Sequence, residues 1–150
     1  MDEDKFQGTT YFTIDEAEKC LPVIEKFVKK AQRLRDKIAW LLETNDVVLE
    51  VSSEDGFHYF VTEQVRVNKE FHKLYYQFYK VIEDLSSLGV FIKDIDDGLI
   101  DFPFKFNGRD AFLCWQLGEK KIGYWHDPES GFEGRQPIVD VDELFKAKNL

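Results

Sequence analysis

Asn107 and Gly108 separate two runs of alternating apolar and polar residues, and this pattern restricts the fold more than any other in the chain. An Asn-Gly pair is typical of a two-residue type I′ hairpin turn, because both central residues of that turn need positive φ. Counting outward from the turn brings the apolar residues of both strands to one face, whereas a shift of one residue would scatter them. The facing pairs are Phe106 with Arg109, Phe104 with Ala111, Phe102 with Leu113 and Ile100 with Trp115.

The rest of the C-terminal half extends this hairpin into a sheet over residues 90–127. A turn at residues 96–98 joins a preceding strand, residues 90–95, to the hairpin. A second turn, residues 118–121, leads into a following strand, residues 122–126. Together these segments predict a four-stranded antiparallel meander.

The reverse face of the predicted sheet carries Asp101 opposite Cys114 and Pro103 opposite Phe112. If the last turn keeps phase, Trp125 also lies beside Cys114 and near Asp101. A face with so many apolar side chains is not the solvated side that an isolated sheet would present. It therefore needs a cover.

The cover is expected to come from residues 131–146 or from a second subunit. Residues 128–150 are predicted to form a covering loop and a short final helix. Asp140 or Asp142 would supply the N-cap of that helix, since a carboxylate can accept hydrogen bonds from its first backbone N–H groups.

The N-terminal half has the periodicity of helices. Thr13 and Glu16 form a capping box, in which each side chain accepts a hydrogen bond from the backbone of the other, so a helix begins at Ile14. Pro22 disfavours a helix interior, because it lacks an N–H and its ring clashes with the preceding turn. We therefore expect a short helix over residues 14–20 and a new, longer helix beginning near Pro22.

Apolar residues recur at alternating spacings of three and four in two long stretches, which is the pattern of a coiled-coil seam. Residues 46–51 suit a strand or a helix, and we favour helix because the helical phase continues through them. With residues 52–56 as the turn and Gly89 as the end, an antiparallel helical hairpin is predicted over residues 14–51 and 58–88. The seam positions are Ile24, Phe27, Ala31, Leu34, Ile38 and Leu41, then Phe60, Gln64, Val67, Phe71, Leu74, Phe78, Val81, Leu85 and Leu88.

The second helix carries a further stripe that one partner helix cannot cover as well as the seam. Its members are Val61, Val65, His72, Tyr75, Tyr79 and Ile82. Either the sheet or a second copy of the chain must pack there. This stripe and the uncovered sheet face together predict self-association as a homodimer.

The composition restricts the number of domains and the kinds of partner that the chain can have. A chain of 150 residues that is 43% hydrophobic can bury one core, so a single α+β domain is expected over residues 1–150. The net charge of −9 disfavours nucleic-acid binding, because phosphate backbones are repelled. Acidic side chains also interleave with the basic stripe of the first helix. That stripe consists of Lys26, Lys30, Arg33 and Lys37.

The expected compartment is cytoplasmic. Cys20 and Cys114 fit no paired spacing, so they are read as reduced core thiols rather than as a disulfide. Residues 1–5 are acidic where a signal peptide needs a basic start, and no apolar run is long enough to span a membrane. We expect no membrane contact.

Several short motifs concentrate aromatic, acidic and histidine side chains in the C-terminal half. They are Asp101-Phe102-Pro103, Leu117-Gly118-Glu119, Gly123-Tyr124-Trp125-His126 and Gly131-Phe132-Glu133-Gly134-Arg135-Gln136-Pro137. Two further motifs lie in the N-terminal half, namely Tyr11-Phe12-Thr13 and Leu21-Pro22. In these motifs, over nearly its whole length, the chain resembles domain-of-unknown-function family 2203, a family of small bacterial and archaeal proteins. The resemblance implies no particular activity, and the cofactor stays unknown.

His126 is the first candidate for chemistry. It could act as a general base or a metal ligand, with Glu119, Asp127 or Asp101 as the companion carboxylate. Against this, the chain has no spacing typical of a zinc motif, and a single histidine at a strand end is more often structural. Arg135 could hold a carboxylate or phosphate, or it could pair with Glu119 or Asp101 and lock its loop over the sheet.

Three functional hypotheses follow. The favoured one is a non-catalytic module whose sheet face binds a protein partner, a second copy of the chain or a small anion. The second is a small metal-dependent or acid–base enzyme that uses Glu119 and His126. The third is a coiled-coil scaffold. The residues expected to bind a ligand or form an interface are Asp101, Arg109, Trp115, Tyr124, Trp125 and Arg135.

Overall fold

A computed structural model describes residues 9–44 and 65–138, and it confirms the predicted α+β class. Within these two ranges, two helices precede five antiparallel strands in the order β1-β2-β3-β4-β5. None of the described helices is long and apolar enough to cross a membrane. The elements are α1 (Ile14–Thr44), α2 (Val65–Ser86), β1 (Phe91–Asp94), β2 (Leu99–Phe106), β3 (Arg109–Gln116), β4 (Tyr124–His126) and β5 (Gln136–Pro137), with a 3-10 turn at Phe132–Gly134.

Helix α1 begins with the predicted capping box. The backbone N–H of Glu16 donates to Thr13 Oγ1 at 3.1 Å, and the N–H of Thr13 donates to Glu16 Oε1 at 3.0 Å. The predicted break near Pro22 is wrong, because α1 runs through this residue without interruption. Proline removes one backbone hydrogen bond at a cost of about 3 kcal/mol. An unbroken helix keeps Leu21 and Ile24 on one buried stripe, which offsets that cost.

The described residues form two compact units. The first contains residues 9–28 and 84–138, and its core lies on one face of the sheet. The buried members of that core are Ala17, Leu21, Ile24, Val28, Leu85, Val90, Ile100, Phe102, Phe104, Ala111, Leu113, Trp115 and Ile122. Val28 is fully buried, whereas its neighbour Phe27, which was the predicted seam residue, is half-buried.

The second unit contains residues 29–44 and 65–83. Its buried apolar residues all belong to the predicted seams, which supports the predicted pairing of the helices. They are Ala31, Leu34, Ile38 and Leu41 on α1, with Phe71, Leu74 and Val81 on α2. In the further stripe of α2, His72 and Tyr79 are exposed and Tyr75 is half-buried.

Some predictions lie outside the described residues. They include the helix assigned to residues 46–51, the turn at residues 52–56, the start of the second helix at residue 58 and the final short helix after residue 138. The organisation as a single domain stays a prediction. Helix α2 ends at Ser86, two residues before the predicted end, and Gly89 follows with the predicted positive φ of 92°.

The hairpin of β2 and β3 has the predicted turn and register. Asn107 and Gly108 have φ values of 54° and 74°, as a type I′ turn requires. The pairs Phe102 with Leu113 and Asp101 with Cys114 both form as expected. One face of the hairpin therefore enters the core, and the other carries Asp101 and Cys114.

The register of β4 differs from the prediction by one residue. Trp125 pairs with Leu113 rather than with Cys114, and His126 pairs with Phe112. The cause lies in residues 117–123, which form a loop instead of a tight turn. This loop sends Ile122 into the core, where it is 4% exposed, so the chain enters β4 in the opposite phase.

The sheet has five strands where four were predicted. Strand β5 is only two residues long and pairs with β4, Tyr124 facing Pro137 and Trp125 facing Gln136. Next to it, the N–H of Ile138 donates to the carbonyl of Gly123 at 2.8 Å. So short a strand has no alternating pattern, and its two residues lie within the predicted covering loop.

We expect Gly108→Ala to lower the free energy of unfolding by about 1–2 kcal/mol, because an L-residue is strained at positive φ. A Cβ at Gly108 would meet no atom within 4 Å, so the loss would report backbone strain rather than a clash. Urea unfolding measures the difference. Gly131→Ala is the matched control, since Gly131 has φ −98° and equally open surroundings. Equal losses in both variants would contradict the assigned turn.

Candidate functional site

Three buried side chains with polar end groups meet on the reverse face of the sheet. Asp101 on β2 and Cys114 on β3 are each 2% exposed, and His126 on β4 is 3% exposed. Their ligand atoms all lie within 4.8 Å of one another. The antiparallel register explains the meeting, because Asp101 pairs directly with Cys114 and β4 brings His126 to the same face.

Both ring nitrogens of His126 have hydrogen-bond partners. Nδ1 lies 2.7 Å from the carbonyl oxygen of Asp127, which can only accept, so Nδ1 carries a hydrogen. Nε2 lies 2.9 Å from Oδ2 of Asp101. Burial alone would lower the pKa of His126, but the hydrogen bonds to Asp101 and to the Asp127 carbonyl outweigh it and raise the pKa above its ordinary value. His126 and Asp101 therefore share a proton in a buried pair.

Cys114 completes the cluster without being an activated nucleophile. Burial, together with the negative charge of Asp101, raises the pKa of its thiol to about 11. A reactive cysteine needs the opposite shift, and it needs a histidine nitrogen free to take its proton. Neither condition holds here, since both nitrogens of His126 are already engaged.

A pocket of about 240 Å³ opens beside the cluster. The inner wall of the pocket is formed by the cluster itself, because Asp101, Cys114 and His126 line the pocket and are almost inaccessible to solvent. Lys93 brings a positive charge to the pocket, with its Nζ 4.0 Å from Oδ2 of Asp101. The outer wall consists of residues from β1, the start of β2 and the loop after β4. They include Lys93, Leu99, Pro128, Ser130, Gly131 and Phe132.

Arg135 holds the loop that builds this outer wall. Its Nη2 lies 3.1 Å from Oε2 of Glu119, and its Nη1 donates to Oε1 at 3.3 Å. The guanidinium also stacks between two aromatic rings, 3.8 Å from the centroid of Tyr124 and 4.3 Å from that of Phe132. Glu119 in turn accepts from the N–H of Gln116 at 2.7 Å, which anchors the arrangement to the end of β3.

The family model for the uncharacterized conserved proteins DUF2203 matches residues 10–138. The chain belongs to that family. Neither a curated protein nor a solved structure shows significant similarity to it. Membership assigns no reaction and no ligand, so the chemistry of the site has to be argued from its geometry.

The structure divides the expected site residues of this DUF2203 protein between two faces. Tyr124 lies on the reverse face with Asp101, whereas Trp115 is 1% exposed in the core and Trp125 packs against Phe104 and Phe106 on the core side. Arg109 is exposed at the hairpin end of β3. The site that forms is therefore smaller than the predicted set.

The companions predicted for His126 also separate. Asp101 reaches the imidazole with its carboxylate, while Asp127 contributes its backbone carbonyl. Glu119 binds Arg135, and this ion pair is the predicted alternative in which Arg135 locks its loop over the sheet.

Cys114 and Lys93 were not recognised as site residues. The apolar sequence neighbours of Cys114 predict only a core thiol. The predicted pairing of Asp101 with Cys114 was nevertheless a signal, since it placed a carboxylate and a thiol side by side. For Lys93 no comparable signal existed, because a lysine in an edge strand is ordinary.

We expect the ring of His126 to titrate above its ordinary pKa of about 6.5 and Asp101→Asn to lower that pKa, because the carboxylate favours the protonated ring. The raised pKa means that protonated His126 stabilises the fold at low pH, and this contribution is lost as the pH rises through the folded-state pKa. Histidine ring NMR and chemical unfolding, both with a chelator present, measure the two effects. Asp97→Asn, in the exposed turn before β2, is the control. An unchanged pKa in Asp101→Asn would refute the pairing.

Proposed function

We propose that this protein is a non-catalytic binding module whose site is the pocket on the reverse face of the sheet. Its ligand is a small polar molecule. The observation that carries the proposal is the buried cluster of Asp101, Cys114 and His126 at the inner wall of the pocket. A pocket with a few convergent polar groups is the usual form of a small-molecule site.

The energetics of the cluster favour a functional role. Burying a charged pair costs desolvation energy, and well-packed apolar residues in its place are often as stable or more stable. Asp101 on β2 and His126 on β4 meet across β3, beside Pro103 and Phe112, which are buried apolar residues of the same face. Stability alone is thus a poor reason for placing these groups here, whereas recognition of a polar ligand is a sufficient one.

The outer wall suits a ligand that must enter and leave. Ser130 and Lys93 offer a hydroxyl and an ammonium, and Phe132 offers an aromatic ring that is 38% exposed. The ion pair of Arg135 with Glu119 anchors one end of this loop to the sheet. The wall is therefore held in place before any ligand binds, which reduces the ordering cost of binding.

The enzyme alternative has less support. It required Glu119 and His126 to act together, but the carboxylate of Glu119 is held by Arg135. An acid–base reaction would have to use the pair of His126 and Asp101 instead. The hydrogen bond from Nδ1 to the Asp127 carbonyl would then orient the ring.

Small-molecule binding is tested by NMR on the isotopically labelled chain, with acetate, inorganic phosphate, glycine and putrescine as probes of different charge. We expect saturable shifts at Ser130 and Gly131 with at least one probe. Gly131→Phe, which adds a ring at the pocket wall, should abolish them. Gly123→Phe is the matched control, because a Cβ there also meets no atom within 4 Å and the residue does not line the pocket. Shifts absent with every probe, or located elsewhere, would remove the proposal.

Self-association is a second candidate function, and exposed aromatic side chains on both helices of the second unit support it. Trp40 is 63% exposed, Tyr76 is 72% exposed and Tyr79 is 60% exposed. Aromatic residues are enriched at protein interfaces and are costly to leave in water. A homodimer or a coiled-coil scaffold would bury these side chains.

Sedimentation at micromolar concentration distinguishes these possibilities. We expect a dimer for the unmodified chain and a monomer for the double variant Tyr76→Lys and Tyr79→Lys, because two added charges oppose burial of the surface. Val23→Lys is the control, since Val23 is an exposed apolar residue of the other unit. A monomeric unmodified chain would exclude self-association in this range.

A further inference from the structure

We infer that Asp101, Cys114 and His126 form a binding site for a zinc-class transition-metal dication, with an open coordination position directed toward the pocket. This inference rests on the proposed function, because it assigns a ligand to the inner end of the same pocket. The sequence pointed to His126 with Glu119, Asp127 or Asp101. The cluster uses only Asp101 of these three carboxylates, and it adds Cys114.

The donor set is chemically suited to such an ion. A thiolate, an imidazole and a carboxylate are the three side-chain types that bind Zn²⁺, whereas Mg²⁺ and Ca²⁺ prefer oxygen ligands alone. Three protein ligands with a fourth position left open are typical of zinc sites that bind a further small ligand. The pocket beside the cluster gives that fourth position room.

The distances are close to those that a metal requires. With metal bonds of ordinary length, ligand atoms in a tetrahedral site lie about 3.3–3.6 Å apart. Here Nε2 of His126 and Oδ2 of Asp101 are 2.9 Å apart, and all three ligand atoms lie within 4.8 Å of one another. Shifts of about 1 Å or less would therefore complete the geometry, within the usual range of side-chain movement on binding.

His126 is already oriented as a metal ligand. Its Nδ1–H donates to the carbonyl of Asp127, and that bond directs Nε2 toward Asp101 and Cys114. Metal-bound histidines nearly always donate their second N–H to a carbonyl or carboxylate in this way. The hydrogen bond thus holds the ring and its tautomer for coordination through Nε2.

Metal binding would exchange protons for the ion. The ion displaces the proton that Nε2 and Oδ2 share, and it displaces the thiol proton of Cys114. A dication reverses the local electrostatics, because a coordinated thiol is deprotonated. Lys93, whose Nζ lies 4.0 Å from Oδ2 of Asp101, would be replaced by the ion as the cation beside that carboxylate. Asp94 lines the pocket and does not belong to the ligand set.

The test uses the full chain, freed of metal with a chelator and then titrated with Co²⁺ and Zn²⁺. We expect one Co²⁺ to bind with a thiolate-to-cobalt charge-transfer band in the near ultraviolet. Zn²⁺ should raise the melting temperature, because it binds only the folded state, and Mg²⁺ should not. Cys114→Ser should abolish the band and weaken Zn²⁺ by at least about 100-fold, more than the loss of a supporting residue.

Cys20→Ser is the matched control, because it removes the other cysteine, which lies in α1 and outside the cluster. This variant should keep both the cobalt band and the zinc affinity. Asp101→Asn, which preserves the shape of the side chain, should weaken Zn²⁺ binding and leave the thiolate band in place. Chemical unfolding in the presence of chelator shows whether each variant is folded. If a variant is misfolded, the cobalt–thiolate band of the unmodified chain decides whether the metal site exists.

The absence of a cobalt–thiolate band in the unmodified chain would overturn the inference, and so would a band lost in Cys20→Ser but kept in Cys114→Ser. The NMR probes separate this outcome from failure of the proposed function. Probe binding in chelator without any metal binding would refute the metal site alone. If the chain binds metal but no probe binds, either with or without Zn²⁺, the metal site would be supported and the proposal of a small polar ligand would be refuted.

Discussion

The pairing of β2 with β3 is the constraint on which the rest of the sheet depends. In an antiparallel ladder each residue shares its face with the residue directly opposite, so one register decides the face of every side chain on both strands. Phe102 and Leu113 enter the core through this pairing, while Asp101 and Cys114 are brought together on the other side. The type I′ turn at Asn107 and Gly108 sets that register locally. The same contacts that stabilise the hairpin thus create the first two members of the site.

His126, the third member of the site, is positioned by an irregular loop rather than by a tight turn. Residues 117–123 wrap around Glu119, whose carboxylate accepts from the N–H of Gln116 and whose carbonyl accepts from Nε1 of Trp115. Ile122 leaves this loop to enter the core, and its N–H donates to Glu18 on α1. Burial of this side chain shifts the phase of β4 by one residue. Without that shift His126 would face the core, and the Asp101 carboxylate would lose its hydrogen bond to the imidazole.

The reverse face shows how one sheet side can combine packing with recognition. Phe112 and Pro103 are fully buried there, so most of the face behaves as core. The polar cluster interrupts it where the loop after β4 passes over the sheet. Arg135 secures that loop through Glu119 and through stacking on Tyr124. The ion pair of Arg135 with Glu119 holds the loop at the edge of the sheet, while the buried polar cluster at the centre is unfavourable for stability. This combination suits a binding site rather than a purely structural surface.

Much of this architecture could be predicted because it depends on local rules. The capping box at Thr13, the turn at Asn107 and Gly108, the register of β2 with β3 and the positive φ of Gly89 after α2 all follow from short-range geometry. The seam positions of the second unit follow from helical periodicity. The predicted hairpin register also places Asp101 directly beside Cys114, as the structure does. Membership of the DUF2203 family was likewise evident in short motifs.

The continuation of α1 through Pro22 and the phase of β4 could not be predicted in the same way, and the sequence left open whether Arg135 pairs with Glu119 or with Asp101. Each depends on contacts between segments far apart in sequence, whose burial outweighs a local preference. A proline penalty is offset by a buried stripe, and an irregular loop is set by a single isoleucine in the core. Local sequence therefore determined the elements and one register, whereas tertiary packing decided which polar side chains meet, because only the packed core fixes the phase of a strand that follows a loop.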